Sequence, residues 1–188
     1  MNNIAKLGAN LFVICAVAAL ALGLTNQVTA PKIEERNIQA NNESRQTVLP
    51  KAKEFKQFEY SGFEGDNDLV AEVYEGTDGS ELVGYTIKTL PKGYGGQMEI
   101  MVGISKDGVI TGINIGNMSE TPGLGSKAAE PAFKDQFNQK PAKELDVVKG
   151  KASAENQIEA ISGATITSSA VTKGVNVAID VFNSSLTK

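Results

Sequence analysis

The longest apolar run of the chain lies near its N-terminus and has the length of a bilayer-spanning helix. Leu7 to Leu24 is interrupted only by Asn10, and a helix of this length spans roughly 27 Å, similar to the hydrocarbon core of a membrane. Lys6 precedes the run and charges of both signs follow it, which favours a cytoplasmic N-terminus. The pattern predicts a cytoplasmic tail over residues 1–6 and one transmembrane anchor over residues 7–26, with the remaining chain outside the cytoplasm. A cleaved signal peptide is the alternative, because the same apolar core fits an h-region.

Residues 27–90 predict a membrane-proximal helix followed by the first strands of a sheet. Pro31 suits the first turn of that helix, which is predicted to end before Pro50. Strand-like runs then continue into the second half of the chain: Phe55–Tyr60, Asp68–Tyr74, Glu81–Leu90, Met98–Ser105 and Val109–Gly116. Asp107-Gly108 separates two β-branched runs, which is a strong hairpin signal.

The segment after the hairpin predicts one short helix and one short strand. Ser126 is predicted to cap a helix that runs through Phe137. Pro131 would lie in the first turns of that helix or would mark its start. Leu145–Val148 has the pattern of a short strand.

The C-terminal segment predicts an amphipathic helix, with Ser168 or Ser169 as its N-cap. Its apolar face consists of Val171, Val175, Ile179, Phe182 and Leu186. This face is predicted to pack on the sheet. The fold class is therefore α+β: an N-terminal transmembrane helix followed by a single α+β domain with an antiparallel sheet.

Composition excludes several function classes. The chain has no histidine, which removes histidine-dependent triads and histidine metal sites. Its one cysteine, Cys15, lies inside the apolar run, so the chain can form neither an intrachain disulfide nor a cysteine-rich metal site. The net charge of −4 disfavours a nucleic-acid partner. Redox chemistry on this chain would need an organic cofactor.

A small, hydroxyl-rich turn, Ser162–Ser169, directly precedes the last helix. The free N–H groups and the positive end of a helix dipole favour a phosphate at such a turn. Its hydroxyls also offer a place to attach that phosphate covalently. Taken alone, however, a sequence of this kind is more often a plain helix N-terminus.

The segment resembles the flavinylation motif of the FMN-binding subunits of the Rnf and sodium-pumping NADH:quinone oxidoreductase complexes. The resemblance implies an FMN-binding domain over residues 91–188, with FMN attached to Thr167 through a phosphoester. It also implies that the turn residues Ser162, Gly163, Ala164 and Thr165 bind the cofactor. Glu159 lies where the family usually has aspartate. On chemistry alone, Thr165, Ser168 and Ser169 remain candidate acceptors. Because no histidine or nearby lysine activates the hydroxyl, a separate flavin transferase is the implied maturation partner.

A second stretch, Glu120–Lys127, places Pro122-Gly123 at the two centres of a type II turn. By its chemistry alone it is a surface loop. It resembles the family's loop that packs against the isoalloxazine ring, which implies these cofactor-binding residues: Glu120, Thr121, Gly123, Leu124 and Lys127. Lys127 would stabilise a reduced, anionic flavin. Gly93–Gly96 resembles the turn that opens the flavin-binding domain of the family.

The resemblance is strongest to the G subunit of the Rnf complexes. It implies a membrane-anchored, covalently flavinylated electron carrier in an ion-translocating complex that couples electron transfer between ferredoxin and NAD to ion transport. The other membrane subunits would be its partners, in the cytoplasmic membrane. The C subunit of the sodium-pumping NADH:quinone oxidoreductase is the close alternative. A non-redox alternative is an anchored scaffold module whose turn binds a free anion, and flavin absorbance that survives denaturation distinguishes the two classes.

Overall fold

The computed structural model describes residues 3–59 and 67–186. The chain divides into two compact units, Met1–Asn42 and Glu43–Lys188. One predicted strand end, Tyr60, lies outside the described residues.

The described part of the first unit is a long exposed helix. Helix α1 runs without interruption over Asn3–Val48, and its last turn belongs to the second unit. An 18-residue window of α1 has a mean hydropathy of 2.3 and none of it is buried, so this helix is long and apolar enough to cross a membrane. It ends before Pro50, as the sequence predicts.

The predicted anchor and the predicted membrane-proximal helix form one helix, so the predicted start of a second helix at Pro31 is wrong. Proline removes one backbone hydrogen bond from a helix and costs about 3 kcal/mol there. Helical residues continue on both sides of Pro31, and this single loss does not end the helix. Just before it, the hydroxyls of Thr25 and Thr29 donate to carbonyl oxygens one turn earlier, at 2.8 and 2.9 Å.

The described part of the second unit is built on a five-stranded antiparallel sheet in which each strand pairs with its neighbours along the chain. The strands are β1 Glu54–Gln57, β2 Val70–Asp78, β3 Glu81–Thr89, β4 Ile100–Ser105 and β5 Ile110–Ile115. A 3-10 turn, Asn67–Leu69, precedes β2. The predicted antiparallel sheet and the β4–β5 hairpin are both confirmed. Gly108, at φ +74°, closes that hairpin in a conformation that favours glycine.

Short elements connect the sheet to the last helix. A 3-10 turn over Gly125–Ala129 is followed by α2, Pro131–Lys134, and by a 3-10 turn over Asp135–Phe137. Pro131 is the first residue of α2, which confirms the alternative that it marks the helix start. Ser126 is not the cap of α2 and lies inside the preceding turn, where its hydroxyl oxygen accepts the N–H of Gly123 at 2.8 Å.

Two short parallel strands, β6 Asp146–Val148 and β7 Gln157–Glu159, form a second sheet. The predicted strand at residues 145–148 corresponds to β6. Strand β7 has no counterpart among the predicted elements. Helix α3 follows over Thr165–Val181, and a π-helical turn over Phe182–Leu186 completes it.

Helix α3 begins at Thr165, so the predicted caps Ser168 and Ser169 are wrong. The N-cap position is Ala164, which offers no side-chain cap. The Ser168 backbone N–H donates to the Ala164 carbonyl at 3.0 Å, which already is a helical bond. The Ser168 hydroxyl accepts the N–H of Ile161 at 2.9 Å, so the side chain that resembled a cap ties the preceding segment to the first turn.

The predicted apolar face of α3 packs on β3 and β4, where all five of its residues are buried. The helix approaches the sheet closely at Gly174. A Cβ on this residue would lie 2.8 Å from the Thr89 hydroxyl oxygen and 3.0 Å from Cδ1 of Ile100. The contact fixes the position of α3 relative to the sheet.

Candidate functional site

Three segments that are distant in sequence enclose one cleft in the second unit. They are the glycine-rich turn Gly93–Gly96, the loop Glu120–Gly125, and the junction of Gly163 with the first turn of α3. The cleft has a volume of about 410 Å³ and is lined by Tyr94, Glu120, Thr121, Leu124, Gly125, Gly163, Ala164, Ile166 and Thr167. This volume lies in the usual range of small-molecule sites.

Thr167 lines this cleft and is 1% exposed. Its hydroxyl donates to Oε2 of Glu120 at 2.6 Å. The predicted caps Ser168 and Ser169 would leave Thr167 before the helix, but Thr167 is the third residue of α3. Its side chain therefore contacts the loop, and its backbone belongs to the first helical turn, where N–H groups have no partner within the helix.

Glu120 is buried, 8% exposed, and both of its carboxylate oxygens are engaged. Oε2 accepts the Thr167 hydroxyl, and Oε1 accepts the backbone N–H of Gly95 at 3.0 Å. Glycines make room for this carboxylate. A Cβ on Gly93 would contact Oε1 of Glu120, and one on Gly125 would lie 2.7 Å from the Thr167 hydroxyl oxygen. The turn Gly93–Gly96 is therefore part of the site.

The loop between Glu120 and the 3-10 turn has the predicted turn geometry. Leu124 donates its backbone N–H to the Thr121 carbonyl at 3.2 Å, and Gly123 has φ +76°. These features fit a type II turn with Pro122 and Gly123 at its centres. Thr121 and Leu124 line the cleft, whereas Gly123 and Lys127 do not.

Residues of the turn before α3 line two different grooves. Gly163 and Ala164 line the cleft, but Ser162 and Thr165 line a second groove of about 480 Å³ that also contains Lys149 and Lys151. This groove includes Glu159, whose Oε1 accepts the Ala152 N–H at 2.9 Å.

Among the hydroxyl-bearing residues of Ser162–Ser169, Thr167 alone lines the cleft. Thr165 lines the second groove, and the Ser168 hydroxyl contacts Ile161 and Ala164. Ser169 lies on a third groove beside β6. The position of Thr167 therefore separates it from the other candidate acceptors.

Exposed apolar side chains surround the cleft. Tyr94, Leu124 and Ile166 are 70%, 44% and 58% exposed. Within the described part of the second unit, they are the large apolar residues that remain exposed, and all three line the cleft. Concentrated apolar exposure of this kind marks a binding surface.

Tyr94, Gly125 and Ile166 line the cleft but were not predicted from the sequence as cofactor-binding residues. Tyr94 and Ile166 each interrupt a small-residue motif with a large apolar side chain, which is the signal that could have identified them. The contact between Glu120 and Thr167 joins positions 47 residues apart, and no local pattern encodes it.

The displaced pKa values belong to residues outside the cleft. Burial, followed by the nearby charge of Glu144, raises the pKa of Asp180 on α3. At the β-sheet surface, the hydrogen bond and charge of Lys106 lower the pKa of Glu81. Among residues 3–59 and 67–186, no group of three or more His, Cys, Asp or Glu side chains is arranged to bind a metal ion.

The chain is similar to known FMN-binding proteins over the segments that form this cleft. Residues 93–180 match the FMN-binding domain family. A solved structure with a similar fold is the C subunit of the Na⁺-translocating NADH-quinone reductase from Parabacteroides distasonis, with a TM-score of 0.57 and 21% identity. The match covers 73% of this chain and 79% of that chain.

Several relatives match almost the whole chain, among them two G subunits of ferredoxin:NAD⁺ oxidoreductase complexes. The G subunit of the Na⁺-translocating ferredoxin:NAD⁺ oxidoreductase complex of Acetobacterium woodii is 52% identical, over 94% of this chain and 90% of the relative. The G subunit of the proton-translocating ferredoxin:NAD⁺ oxidoreductase complex of Clostridium ljungdahlii is 33% identical, over 95% of this chain and 91% of the relative. The chain therefore belongs to the G-subunit family of the Rnf ion-translocating oxidoreductase complexes and carries its FMN-binding domain.

Proposed function

We propose that this chain is the flavin-carrying subunit of an Rnf-type complex and that it holds FMN as a phosphoester on Thr167. The observation that carries the proposal is that Thr167, alone among the hydroxyl-bearing residues of Ser162–Ser169, lines a cleft that also contains exposed apolar side chains. When bound, FMN accepts and donates electrons, which is the chemistry that the protein itself lacks.

The residues of the cleft fit the two ends of FMN. Tyr94, Leu124 and Ile166 offer apolar and aromatic surface to the planar isoalloxazine ring. The first turn of α3 offers backbone N–H groups and the positive end of the helix dipole to the phosphate. Gly163, at φ +76°, keeps the backbone before this turn free of a side chain. The arrangement supports a ligand with one flat apolar end and one anionic end.

The covalent assignment is tested by co-expression of the full chain with a flavin transferase. After denaturation, we expect in-gel flavin fluorescence and a mass increase equal to one FMN less one water. Thr167→Val should abolish both while it keeps the volume of the buried side chain. Thr167→Ser, which restores a hydroxyl, should restore labelling.

Two outcomes would contradict this assignment. Covalent flavin in Thr167→Val would move the acceptor to another hydroxyl. Wild-type protein that binds flavin but releases all of it on denaturation would exclude the phosphoester. Because Thr167 is buried against Glu120, the melting temperature of each variant must be measured with its labelling.

We further propose that α1 anchors the protein in the cytoplasmic membrane with a single pass. Residues 1–6 would lie in the cytoplasm, residues 7–26 would span the bilayer, and the second unit, including the FMN-binding part over residues 91–188, would lie outside. The apolar window of α1 and the position of Lys6 support this topology. The partners would be the other membrane subunits and, during maturation, the flavin transferase.

The topology is tested with a protease added to intact spheroplasts. The protease should remove the second unit and leave a short anchored fragment. Digestion that requires lysis would place the domain in the cytoplasm, and a mature protein that begins after α1's apolar window would establish a cleaved signal peptide.

A further inference from the structure

We propose that Glu120 is the base that accepts the proton of Thr167 when the hydroxyl acquires its flavin. This inference rests on the proposed function, because it concerns the step in which the phosphoester forms. It assigns to this chain part of the chemistry of its own maturation, and the transferase would supply the donor molecule.

The geometry satisfies the first requirement for a base. The 2.6 Å separation of the Thr167 hydroxyl oxygen and Oε2 of Glu120 is a short contact, typical of a hydroxyl that donates to a carboxylate. A general base must lie within about 2.6–3.2 Å of the atom whose proton it removes. The Thr167 hydroxyl and the Glu120 carboxylate are therefore already in position for transfer of the proton between them.

The carboxylate is held in this orientation. The Gly95 N–H fixes Oε1 at 3.0 Å, so Oε2 remains directed at Thr167. Gly93 and Gly125 close around the carboxylate so tightly that a methyl group on either would contact it. In the described part of the chain, Glu120 forms no ion pair with a lysine or arginine, so its proton-accepting oxygen is not occupied by a cation.

Among the described residues, no acidic or basic side chain other than that of Glu120 lines the cleft beside Thr167. The chain contains no histidine. Lysine and arginine do not line this cleft, and Glu120 is the one ionisable group with an acidic or basic side chain that contacts the hydroxyl among the described residues. A serine or threonine hydroxyl is a weak nucleophile until a neighbouring base accepts its proton.

With a flavin dinucleotide as donor, the atoms and charges of the step balance. Oγ1 of Thr167 forms a bond to the phosphorus on the flavin side of the pyrophosphate, and the bond from that phosphorus to the bridging oxygen breaks. The bond's electron pair leaves with the nucleoside monophosphate, and the Thr167 proton moves to Oε2 of Glu120. The ester oxygen has no proton, so the original hydrogen bond ends with the reaction.

Glu120→Gln tests this role, because it keeps the side-chain volume and removes the basic oxygen. Purified full-length protein without flavin is incubated with a flavin transferase and flavin adenine dinucleotide, and the initial rate of covalent labelling is measured. We expect the maximal rate to fall by about 10²–10⁴-fold. The half-saturating protein concentration and the melting temperature should stay near their wild-type values.

Glu130→Gln is the matched control, since Glu130 is an exposed carboxylate in the same half of the domain and its backbone alone contributes to the start of α2. It should label at the wild-type rate. A folded Glu120→Gln that labels within threefold of wild type would overturn the inference.

A second variant covers failure of Glu120→Gln to fold. Glu120→Asp retains a carboxylate but shortens its reach, so we expect at least a tenfold slower rate than wild type. A rate within threefold of wild type would overturn the inference in that case. If wild-type protein acquires no covalent flavin, or acquires it away from Thr167, the proposed function fails first, so the two failures are distinguishable.

Discussion

Gly125→Ala is the substitution that most directly perturbs the contact between Glu120 and Thr167. The new Cβ would lie 2.7 Å from the Thr167 hydroxyl oxygen and 2.9 Å from Cβ of Glu120, and it would also contact Oε2 of Glu120. These approaches are closer than real Cβ atoms make, so the loop or the carboxylate must move. Gly125 has no left-handed φ, and its backbone conformation therefore accepts alanine.

The expected loss has two overlapping parts. Breaking a hydrogen bond to a charged group costs about 1.5–3 kcal/mol, and forcing a methyl group into a packed contact costs about 1–3 kcal/mol. Because one movement causes both, we expect a loss of about 2–4 kcal/mol in the free energy of unfolding. For a domain of this size, that loss lowers the melting temperature by about 5–15 °C.

Thermal unfolding followed by circular dichroism measures the effect, and Gly123→Ala provides the matched control in the same loop. Gly123 has φ +76° and no atom within 4 Å of its ideal Cβ. Alanine there meets a backbone cost of about 1–2 kcal/mol and no steric contact. We expect Gly123→Ala to keep the wild-type labelling rate and Gly125→Ala to lose labelling. A Gly125→Ala protein with wild-type melting and labelling would refute the packing argument.

Two further expectations concern α3. Gly174→Ala should destabilise the domain by about 1–3 kcal/mol in thermal unfolding, despite the better helix propensity of alanine, because its Cβ would lie 2.8 Å from the Thr89 hydroxyl oxygen; an unchanged or higher melting temperature would contradict the close helix–sheet contact. Asp180→Asn should raise the melting temperature at pH 7 and leave it unchanged at about pH 3. Burial and the charge of Glu144 raise the pKa of Asp180 in the folded state. The protonated carboxyl therefore contributes stability below the unfolded pKa of about 3.9. This stability is lost as the pH rises through the folded pKa. An equal effect at both pH values would exclude ionisation as the cause.

The sheet was predicted well from local sequence patterns because each of its strands pairs with a strand that is adjacent in sequence. Alternating and β-branched runs, separated by turns such as Asp107-Gly108, identify strands that pair with their neighbours along the chain. Strand β7 escaped prediction because it has three residues, of which Ile158 alone is buried, and it pairs in parallel with β6 without a hairpin.

Helix boundaries were harder to predict because side chains there have competing partners. Ser168 has the residue type of a cap, but its hydroxyl contacts Ile161 and Ala164 from inside the helix. Pro31 has the residue type of a helix start, but the surrounding helix continues through it. In both cases the residue type favoured a helix boundary, but the helix begins at another residue.

The candidate site was located by two motifs, and its internal geometry came from the tertiary structure. Glu120 and Thr167 were each selected by resemblance, yet their hydrogen bond depends on the approach of the loop to α3. Gly123 and Lys127, which were selected in the same way, lie outside the cleft lining. A sequence motif therefore identified the segments but not which side chains face the ligand.

The separation of Glu120 and Thr167 by 47 residues has a consequence for the order of events in biogenesis. A chain that crosses the membrane in an unfolded form has both residues but not their contact. With Glu120 as the base, such a chain becomes a competent acceptor only after its domain has folded on the far side. Flavin attachment would then act as a checkpoint, and the flavin-to-protein ratio of a preparation would report the fraction of chains that folded correctly before they met the transferase.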